Sequence, residues 1–359
     1  MYNPLLNKKP YGASVANMAT SMVFPIDSSI GVKRVFVVLR QVFGEGGERN
    51  GAPLRFELPY QKSERGQDVF VGAFALKEWG IWKYRFEGEL ENGDLAFFGR
   101  AMDGTAIRGD WLPEWLTVIK RDYKTPNWAK HGVTYQIFAD RFCKVGDKPF
   151  VKRGRMHADW NERPDFAREG VDYRADDFFG GNANGIISKL DYLKSLGVSL
   201  IYLSPIFESC SNHRYDTGDY LKIDPLFATE EEFENLVKKA DELGIKIMLD
   251  GVFNHTGADS RYFNREGTYD SLGAYQSKQS PYFDWYYFTH FPDEYACWWG
   301  STVVPTVNKS AKGFCDLVLA DGGVIDKWTK KGVKGWRLDV VDELPIDFTT
   351  KLCRRIKQE

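Results

Sequence analysis

One junction, repeated three times, constrains the fold of the second part of the chain more than any other feature. Each copy ends a helical pattern at a glycine and then continues into an apolar run typical of a buried strand; the glycines are Gly197, Gly244 and Gly332. The clearest helix begins after Thr229, where Glu232 completes a capping box and apolar residues follow at helical spacing. Repeated helix–glycine–strand units predict a parallel sheet covered by helices.

Polar residues stand at the ends of the predicted strands. With residues 135–138 as the first strand, the junctions give strands at 200–203, 246–249 and 336–341. The polar residues at their ends are Asp140, Ser204, Asp250 and Asp339. In a (β/α) barrel these strand ends form the active face, and a doubly wound sheet uses the same ends. Because no glycine-rich phosphate loop follows the first strand, the barrel is mildly favoured and both architectures stay open.

Residues 1–122 have a different pattern, that of short strands separated by turns. Residues 54–58 and 82–87 alternate apolar and polar positions, and the second run places Trp82, Tyr84 and Phe86 on one face. We therefore expect an antiparallel β-sandwich, followed by a linker at 124–127. The predicted domains are 1–122 for the sandwich and 123–359 for the barrel units. An aromatic-rich segment at 256–310 is predicted to be an inserted subdomain.

Composition excludes several classes of protein. The net charge of −2 gives no electrostatic footprint for nucleic acid. The five cysteines are scattered without a CxxC pair, which argues against a disulfide or zinc framework and favours a reducing cytoplasm. No apolar run is long enough to span a membrane, and the N-terminus lacks a signal-like apolar stretch.

Arg337 and Asp339 form the strongest candidate for catalytic chemistry. The two residues are two apart on one predicted strand, so both side chains point to the same face, with Leu338 opposite. A neighbouring guanidinium favours the ionised form of a carboxyl group, which suits a nucleophile that attacks an anomeric carbon. The alternative is a structural ion pair at the strand end.

Two loops after the strands supply candidate binding residues. In DGVFNH at 250–255, Asp250 would orient Arg337 or the loop, and His255 would hydrogen-bond a substrate hydroxyl. A structural role for His255 stays open, and the lack of a second histidine at i+4 argues against zinc. Tyr215, in HRYD at 213–216, is either a stacking floor for a sugar ring or a turn residue packed by its ring.

Hydrolysis with retention also needs a second carboxyl group, about 5–5.5 Å from the nucleophile, as the acid. The candidates are Glu208 and Glu343. Glu343 lies four residues past Asp339, beyond the predicted strand, where a solvated loop glutamate is the favoured alternative. Neither glutamate is a convincing acid, so none is assigned.

Taken together, these motifs resemble the alpha-amylase family, glycoside hydrolase family 13. The resemblance runs in order through 123–359 and rests on VTYQIFADRF at 133–142, FFGGN at 178–182 with GI at 185–186, DGVFNH at 250–255, WWG at 298–300, VPTVN at 304–308 and GWRLD at 335–339. The N-terminal sandwich, the opening strand and the pair Asp342-Glu343 look like the branch of neopullulanases, cyclomaltodextrinases and maltogenic amylases.

The resemblance implies a retaining hydrolase of α-1,4 glucosidic bonds, with α-1,6 bonds as a second option, in maltodextrins, cyclodextrins or pullulan. The implied roles are Asp339 as nucleophile, Arg337 as its electrostatic partner, Tyr215 and His255 as contacts to the sugar, Asp250 and Asn254 as supports of the loop, and Asp342 and Glu343 as contacts to neighbouring glucose units. The N-domain resembles a starch-binding sandwich, and in this branch it often helps to form a homodimer. No nucleic-acid or membrane partner is implied.

The resemblance also shows two departures. The lysine usual in the domain B motif is Thr306 here. The family's general acid follows the fifth strand, whereas this sequence stops at Glu359, after a fourth helix, with about half of the ~250 residues of a full barrel. We therefore expect four βα units, the first half of a barrel, which is catalytically incomplete alone. The alternatives are a non-catalytic glucan-binding fragment and a partner-binding barrel relative.

Many relatives bind calcium near the loop after the first strand. In this chain the loop reads CKVGD at 143–147, which is poorer in Asp and Asn than a good oxygen-ligand site needs. Calcium is therefore doubtful, and no other cofactor or metal is expected.

Overall fold

A computed structural model describes residues 2–44, 47–102, 106–109, 113–150, 152–165 and 175–358. The chain divides into two units, Met1–Lys124 and Thr125–Glu359. The division falls at the first residue of the predicted linker. Each unit has its own hydrophobic core.

The first unit is built almost entirely of strands. Its elements are α1 (Pro4–Asn7), β1 (Lys8–Lys9), β2 (Ser14–Val15), β3 (Thr20–Asp27), β4 (Val32–Gly44), β5 (Gly47–Glu48), β6 (Leu54–Leu58), β7 (Tyr60–Glu64), β8 (Gln67–Phe74), β9 (Gly80–Leu90), β10 (Leu95–Arg100), β11 (Ala106–Arg108) and β12 (Glu114–Ile119). One sheet has the order β1-β3-β8-β7, and the other joins β11-β10-β9-β12-β2 with β4, β5 and β6.

The strands pair antiparallel, as predicted, with one exception. Strand β2 pairs parallel with β12, where Ser14 lies opposite Val118. The prediction of a purely antiparallel unit is wrong for this pair, because β2 and β12 come from opposite ends of the unit and no tight hairpin joins them.

The alternating pattern of β9 places its rings in the core of this unit. Trp82, Tyr84 and Phe86 are all buried, as the period of two predicts. Phe86 packs against Phe24 of β3 in the other sheet, with ring centroids 4.3 Å apart. The two sheets therefore enclose one core, as in a sandwich.

The second unit alternates strands and helices. Its elements are β13 (Val133–Ile137), β14 (Arg155–Met156), β15 (Asp177–Phe178), α2 (Ala183–Ile187), α3 (Leu190–Ser195), β16 (Val198–Leu203), β17 (Phe207–Ser209), β18 (Thr217–Ile223), α4 (Glu230–Glu242), β19 (Lys246–Gly251), β20 (Phe288–His290), β21 (Glu294–Tyr295), α5 (Lys312–Leu319), α6 (Val324–Lys330), β22 (Gly335–Leu338) and α7 (Ile346–Gln358). Strands β13, β16, β19 and β22 pair in parallel and in chain order. This order is that of a (β/α) barrel, whereas a doubly wound sheet reverses its strand order.

Local sequence signals set the limits of these elements, with one error in the prediction. Thr229 and Glu232 form the predicted capping box of α4, and Gly244 follows the helix with φ +73°. The predicted strand 336–341 is too long, because β22 ends at Leu338. Val340 takes a left-handed conformation with φ 48°, which is strained for a β-branched residue, and a 3₁₀ turn follows.

The aromatic-rich segment between β19 and α5 packs around its own rings. An isolated bridge pairs His255 with Thr306, so the outgoing and returning chains lie side by side. Within the segment, Phe263 packs against Tyr286 and Tyr295 with centroids 4.8 and 4.7 Å apart. Most of its rings are therefore used for packing.

The described residues contain no helix that is both long enough and apolar enough to cross a bilayer. All five cysteines are free thiols.

Candidate active site

A guanidinium group joins two carboxylates at the carboxyl ends of β19 and β22. Arg337 lies opposite Asp250 in the strand register, and its Nη1 donates to both Asp250 oxygens at 3.1 and 3.0 Å. The same Nη1 donates to Asp339 Oδ1 at 2.6 Å. The Asp339 backbone N–H donates to the Gly251 carbonyl at 3.2 Å, which ties the turn after β22 to β19. The structure thus brings together three residues that the sequence analysis singled out.

The two carboxylates differ in exposure. The Asp250 side chain is fully buried and also accepts a hydrogen bond from the hydroxyl of Tyr202 on β16. Burial raises the pKa of Asp250 to about 6, against the opposing effects of Tyr202 and Arg337. The Asp339 side chain keeps 14% of its surface exposed. Asp250 is therefore placed to hold Arg337, and Asp339 is the carboxylate that a ligand can reach.

Tyr202 is a site residue that the sequence analysis missed. Its hydroxyl lies 3.4 Å from that of Tyr215, so it links the floor of the site to the turn after β17. Burial raises the pKa values of both tyrosines, which stay neutral hydroxyl donors. The only signal in the sequence was a tyrosine within an otherwise mostly aliphatic strand.

A buried cluster of charges anchors the turn that carries Tyr215. Arg214 Nε lies 3.3 Å from Asp224 Oδ2, and the Lys152 ammonium contacts Asp224 and also the Ser209 carbonyl at 2.5 Å. The three charged side chains are at most 7% exposed. Burial raises the pKa of Asp224, but Arg214 and Lys152 lower it more, so that the pKa falls below its usual value. The turn is therefore fixed by ionic contacts as well as by packing.

His255 lies buried beside this site with one ring nitrogen free. Its ring stacks on that of Trp298 with centroids 5.3 Å apart, and its Nδ1 has no hydrogen-bond partner among the described residues. Burial lowers the pKa of His255, with the Asp339 carboxylate as the largest opposing influence. A neutral imidazole with an unpaired nitrogen is suited to a hydrogen bond with a hydroxyl group.

Glu343 forms a wall of the site with the inserted segment. Its Oε2 accepts from Asn254 Nδ2 at 2.9 Å, and its Oε1 accepts from the indole N–H groups of Trp298 and Trp299 at 3.2 and 3.3 Å. Trp299 itself is 86% exposed. The neighbouring Asp342 is exposed and makes no hydrogen bond with the part of the chain that the structure describes. The structure thus brings Glu343 to the site and leaves Asp342 facing solvent.

Glu208, the other glutamate considered as an acid, lies on β17. Its Oε1 accepts from the Tyr269 hydroxyl at 2.6 Å. Both candidate acids thus act as hydrogen-bond acceptors, and neither has a contact with Asp339 among the described residues.

The FFGGN segment packs directly on the loop after β13. A Cβ on Gly181 would lie 2.0 Å from the Ala139 carbonyl oxygen, and one on Gly185 would lie 1.9 Å from that of Cys143. Buried Asp140 accepts from the backbone N–H groups of Phe179 and Gly180, each at 3.0 Å. Asp140, noted as a strand-end residue, therefore holds this segment in place.

The loop after β13 does not fit a calcium site in its described part. Lysine ammonium groups lie on the nearby carboxylates, in the pairs Lys144–Asp147, Lys148–Glu232 and Lys152–Asp224. Elsewhere among the described residues, Cys210, Asp216 and Asp259 bring one ligand atom each within 4.8 Å of one another. One thiol and two carboxylates are too few oxygen donors for calcium, which takes six to eight.

Comparisons with known proteins identify the family. Residues 136–312 match the family model described as alpha amylase, catalytic domain. The chain is 44% identical over 315 residues to an amylopullulanase of Thermoanaerobacterium saccharolyticum, covering 77% of this chain and 24% of that protein. It is 37% identical over 282 residues to neopullulanase 2 of Thermoactinomyces vulgaris, covering 77% of this chain and 45% of that protein. The chain belongs to the alpha-amylase family and spans less than half the length of these curated relatives.

Solved structures agree. The structure of a Thermus thermophilus protein, Ttha1563, is 34% identical, with a TM-score of 0.55 over 64% of this chain and 46% of that one. The type III pullulan hydrolase from Thermococcus kodakarensis is 24% identical, with a TM-score of 0.57 over 99% of this chain and 58% of that one. The second likeness covers both units and shows the fold alone.

Proposed function

We propose that this protein is a retaining α-glucan hydrolase in which Asp339 is the nucleophile. The observation that supports this most is Arg337 Nη1, which binds buried Asp250 and reachable Asp339 at once. A fixed cation beside a carboxylate keeps it ionised and oriented. His255, with its free nitrogen, and Tyr215 flank this group and would bind the hydroxyls and the face of the sugar at the cleaved bond.

In the proposed reaction the Asp339 carboxylate attacks the anomeric carbon, and the bond to the leaving glycosidic oxygen breaks. A second carboxyl group gives its proton to that oxygen. The sugar is then bound to Asp339 as an ester, which water cleaves, with the second carboxyl group acting as base. The carboxylate of Asp339 re-forms beside Arg337, which stabilises the returning negative charge.

We propose that neither Glu208 nor Glu343 is the second carboxyl group, since both are engaged as acceptors by other side chains. On this proposal the four βα units are the first half of an eight-stranded barrel, and residues 1–359 alone bind glucan without cleaving it. This makes a non-catalytic glucan-binding fragment the second candidate function for the polypeptide taken by itself.

The proposed substrates are maltodextrins, cyclodextrins or pullulan, through α-1,4 bonds and, as the secondary choice, α-1,6 bonds. Relatives named amylopullulanase, neopullulanase and cyclomaltodextrinase support this class. A cyclic maltosyl-(1→6)-maltose hydrolase, 31% identical, has been solved with maltose bound. Asp342 is proposed to face a neighbouring glucose unit, and Asp250 and Asn254 to hold the loop. A cytoplasmic location and a homodimer formed through the N-terminal unit are further parts of this proposal.

The test compares the natural full-length protein with residues 1–359, each incubated with maltotriose, a cyclodextrin and pullulan. We expect the full-length protein to cleave at least one of these, with proton NMR showing the α-anomer as the first product. Residues 1–359 should bind maltotriose in calorimetry without releasing products. Formation of the β-anomer first would contradict retention, and turnover by residues 1–359 would return Glu208 and Glu343 to the role of acid.

A further inference from the structure

Lys309 reaches the site from the returning strand of the inserted segment, although it belongs to none of the family motifs. Next to it in sequence, Val307 donates its backbone N–H to the Asn254 carbonyl at 2.9 Å, which brings the two segments together. The Lys309 ammonium then donates to Asn254 Oδ1 at 2.8 Å. The lysine is therefore held over the loop that carries Asn254 and His255.

The contacts of Asn254 fix the orientation of its side-chain amide. An ammonium group has no acceptor, so the amide oxygen must face Lys309. The carboxylate of Glu343 accepts on the other side, so the amide nitrogen must face Glu343, as it does at 2.9 Å. A flipped amide would place two donors and two acceptors against each other. Lys309 thus selects the one orientation in which Asn254 can hold Glu343.

Glu343 passes this order on to two indole rings. Its second oxygen accepts from Trp298 and Trp299, and Trp298 stacks on His255. A continuous set of contacts therefore runs from Lys309 through Asn254 and Glu343 to the ring beside His255. Burial lowers the pKa of Lys309, and Glu343 opposes that effect, in keeping with an ammonium that is partly desolvated close to the carboxylate.

We infer that Lys309 is a positioning residue, which fixes Glu343 and the Trp298–Trp299 pair as a preformed wall of the glucan site. It acts through Asn254. This inference rests on the proposed function for the identity of the ligand, but the contact set itself is a property of the unliganded chain.

The test uses residues 1–359 labelled with ¹⁵N at the tryptophan indoles, with Trp298→Phe and Trp299→Phe to assign two signals. Lys309→Met should move the Trp298 and Trp299 indole signals and leave most of the other nine in place. Lys309→Arg should keep both signals near their original positions, since arginine also donates without accepting. The matched control is Lys312→Met, which removes an exposed charge that pairs with Asp316.

Maltotriose titration provides the second readout. We expect Lys309→Met to weaken binding about tenfold, as for loss of one hydrogen bond to a charged group, with Lys309→Arg restoring most of it. Unmoved indole signals, or equal binding by wild type and Lys309→Met, would overturn the inference. A uniform shift of all the indole signals would also overturn it, because it would indicate a general structural role. Failure of the wild type to bind would instead count against the proposed function, while the indole signals would still decide the role of Lys309.

Discussion

Replacing Asp339 with asparagine is expected to abolish glucan cleavage by the natural full-length protein, lowering kcat by at least about 1000-fold. The amide has nearly the shape of the carboxylate and its oxygen can still accept from Arg337, but it is a very poor nucleophile. The side chain lies at a strand end and is partly exposed, so the fold should survive. The measurement is kcat on maltotriose or a cyclodextrin, with circular dichroism and unfolding temperature recorded on the same samples.

Asp347→Asn is the matched control for this variant. Asp347 is exposed in the first turn of α7, a few residues along the chain, and has no place in the proposed site. We expect it to keep the activity of the wild type. A kcat of Asp339→Asn within about tenfold of the wild type, with the fold intact, would show that Asp339 is not the nucleophile.

Asp224→Asn is expected to give the largest loss of stability, about 3–5 kcal/mol in the free energy of unfolding of the second unit. The carboxylate is fully buried between Arg214 and Lys152, and the substitution leaves two buried cations without a counter-charge. The measurement is a urea titration of residues 1–359, with the two units followed as separate transitions. The exposed Asp316→Asn should change the curve little, and an equally small change for Asp224→Asn would contradict the account.

The same variant should change how stability depends on pH. The pKa of Asp224 is lower in the folded chain than in the unfolded chain, where it is about 3.9. Its stabilising contribution is therefore fully present above about pH 4 and is lost as the pH falls through the folded-state pKa. The difference in stability between wild type and Asp224→Asn should shrink in this acidic range. A difference that stays constant there would contradict the assigned direction of the shift.

Patterns that are local in sequence predicted most of the fold. The alternation at 82–87 placed the correct rings of β9 in the core, and Thr229 with Glu232 marked the start of α4. The strand at 336–341 was predicted too long because Val340 and Val341 continue the apolar run. Apolar character cannot show that Val340 adopts a left-handed conformation, which depends on the surrounding tertiary structure.

The candidate site was predictable where its residues share a strand or stand at neighbouring strand ends. Arg337 and Asp339 are two residues apart, and Asp250 follows from the rule that parallel strands end at the same edge. Tyr202, Lys309 and the cluster of Lys152, Arg214 and Asp224 could not be predicted in this way. Their contacts join segments as far as 72 residues apart, and no periodic pattern encodes such pairs.

The most direct measurement of the central claim is to trap the glycosyl–enzyme ester. A 5-fluoro-α-glucosyl fluoride should label the natural full-length protein, because the fluorine slows hydrolysis of the ester more than its formation. After digestion, mass spectrometry should place the sugar on Asp339. A label on Asp250, Glu208 or Glu343, or an active enzyme that forms no ester at all, would contradict the account.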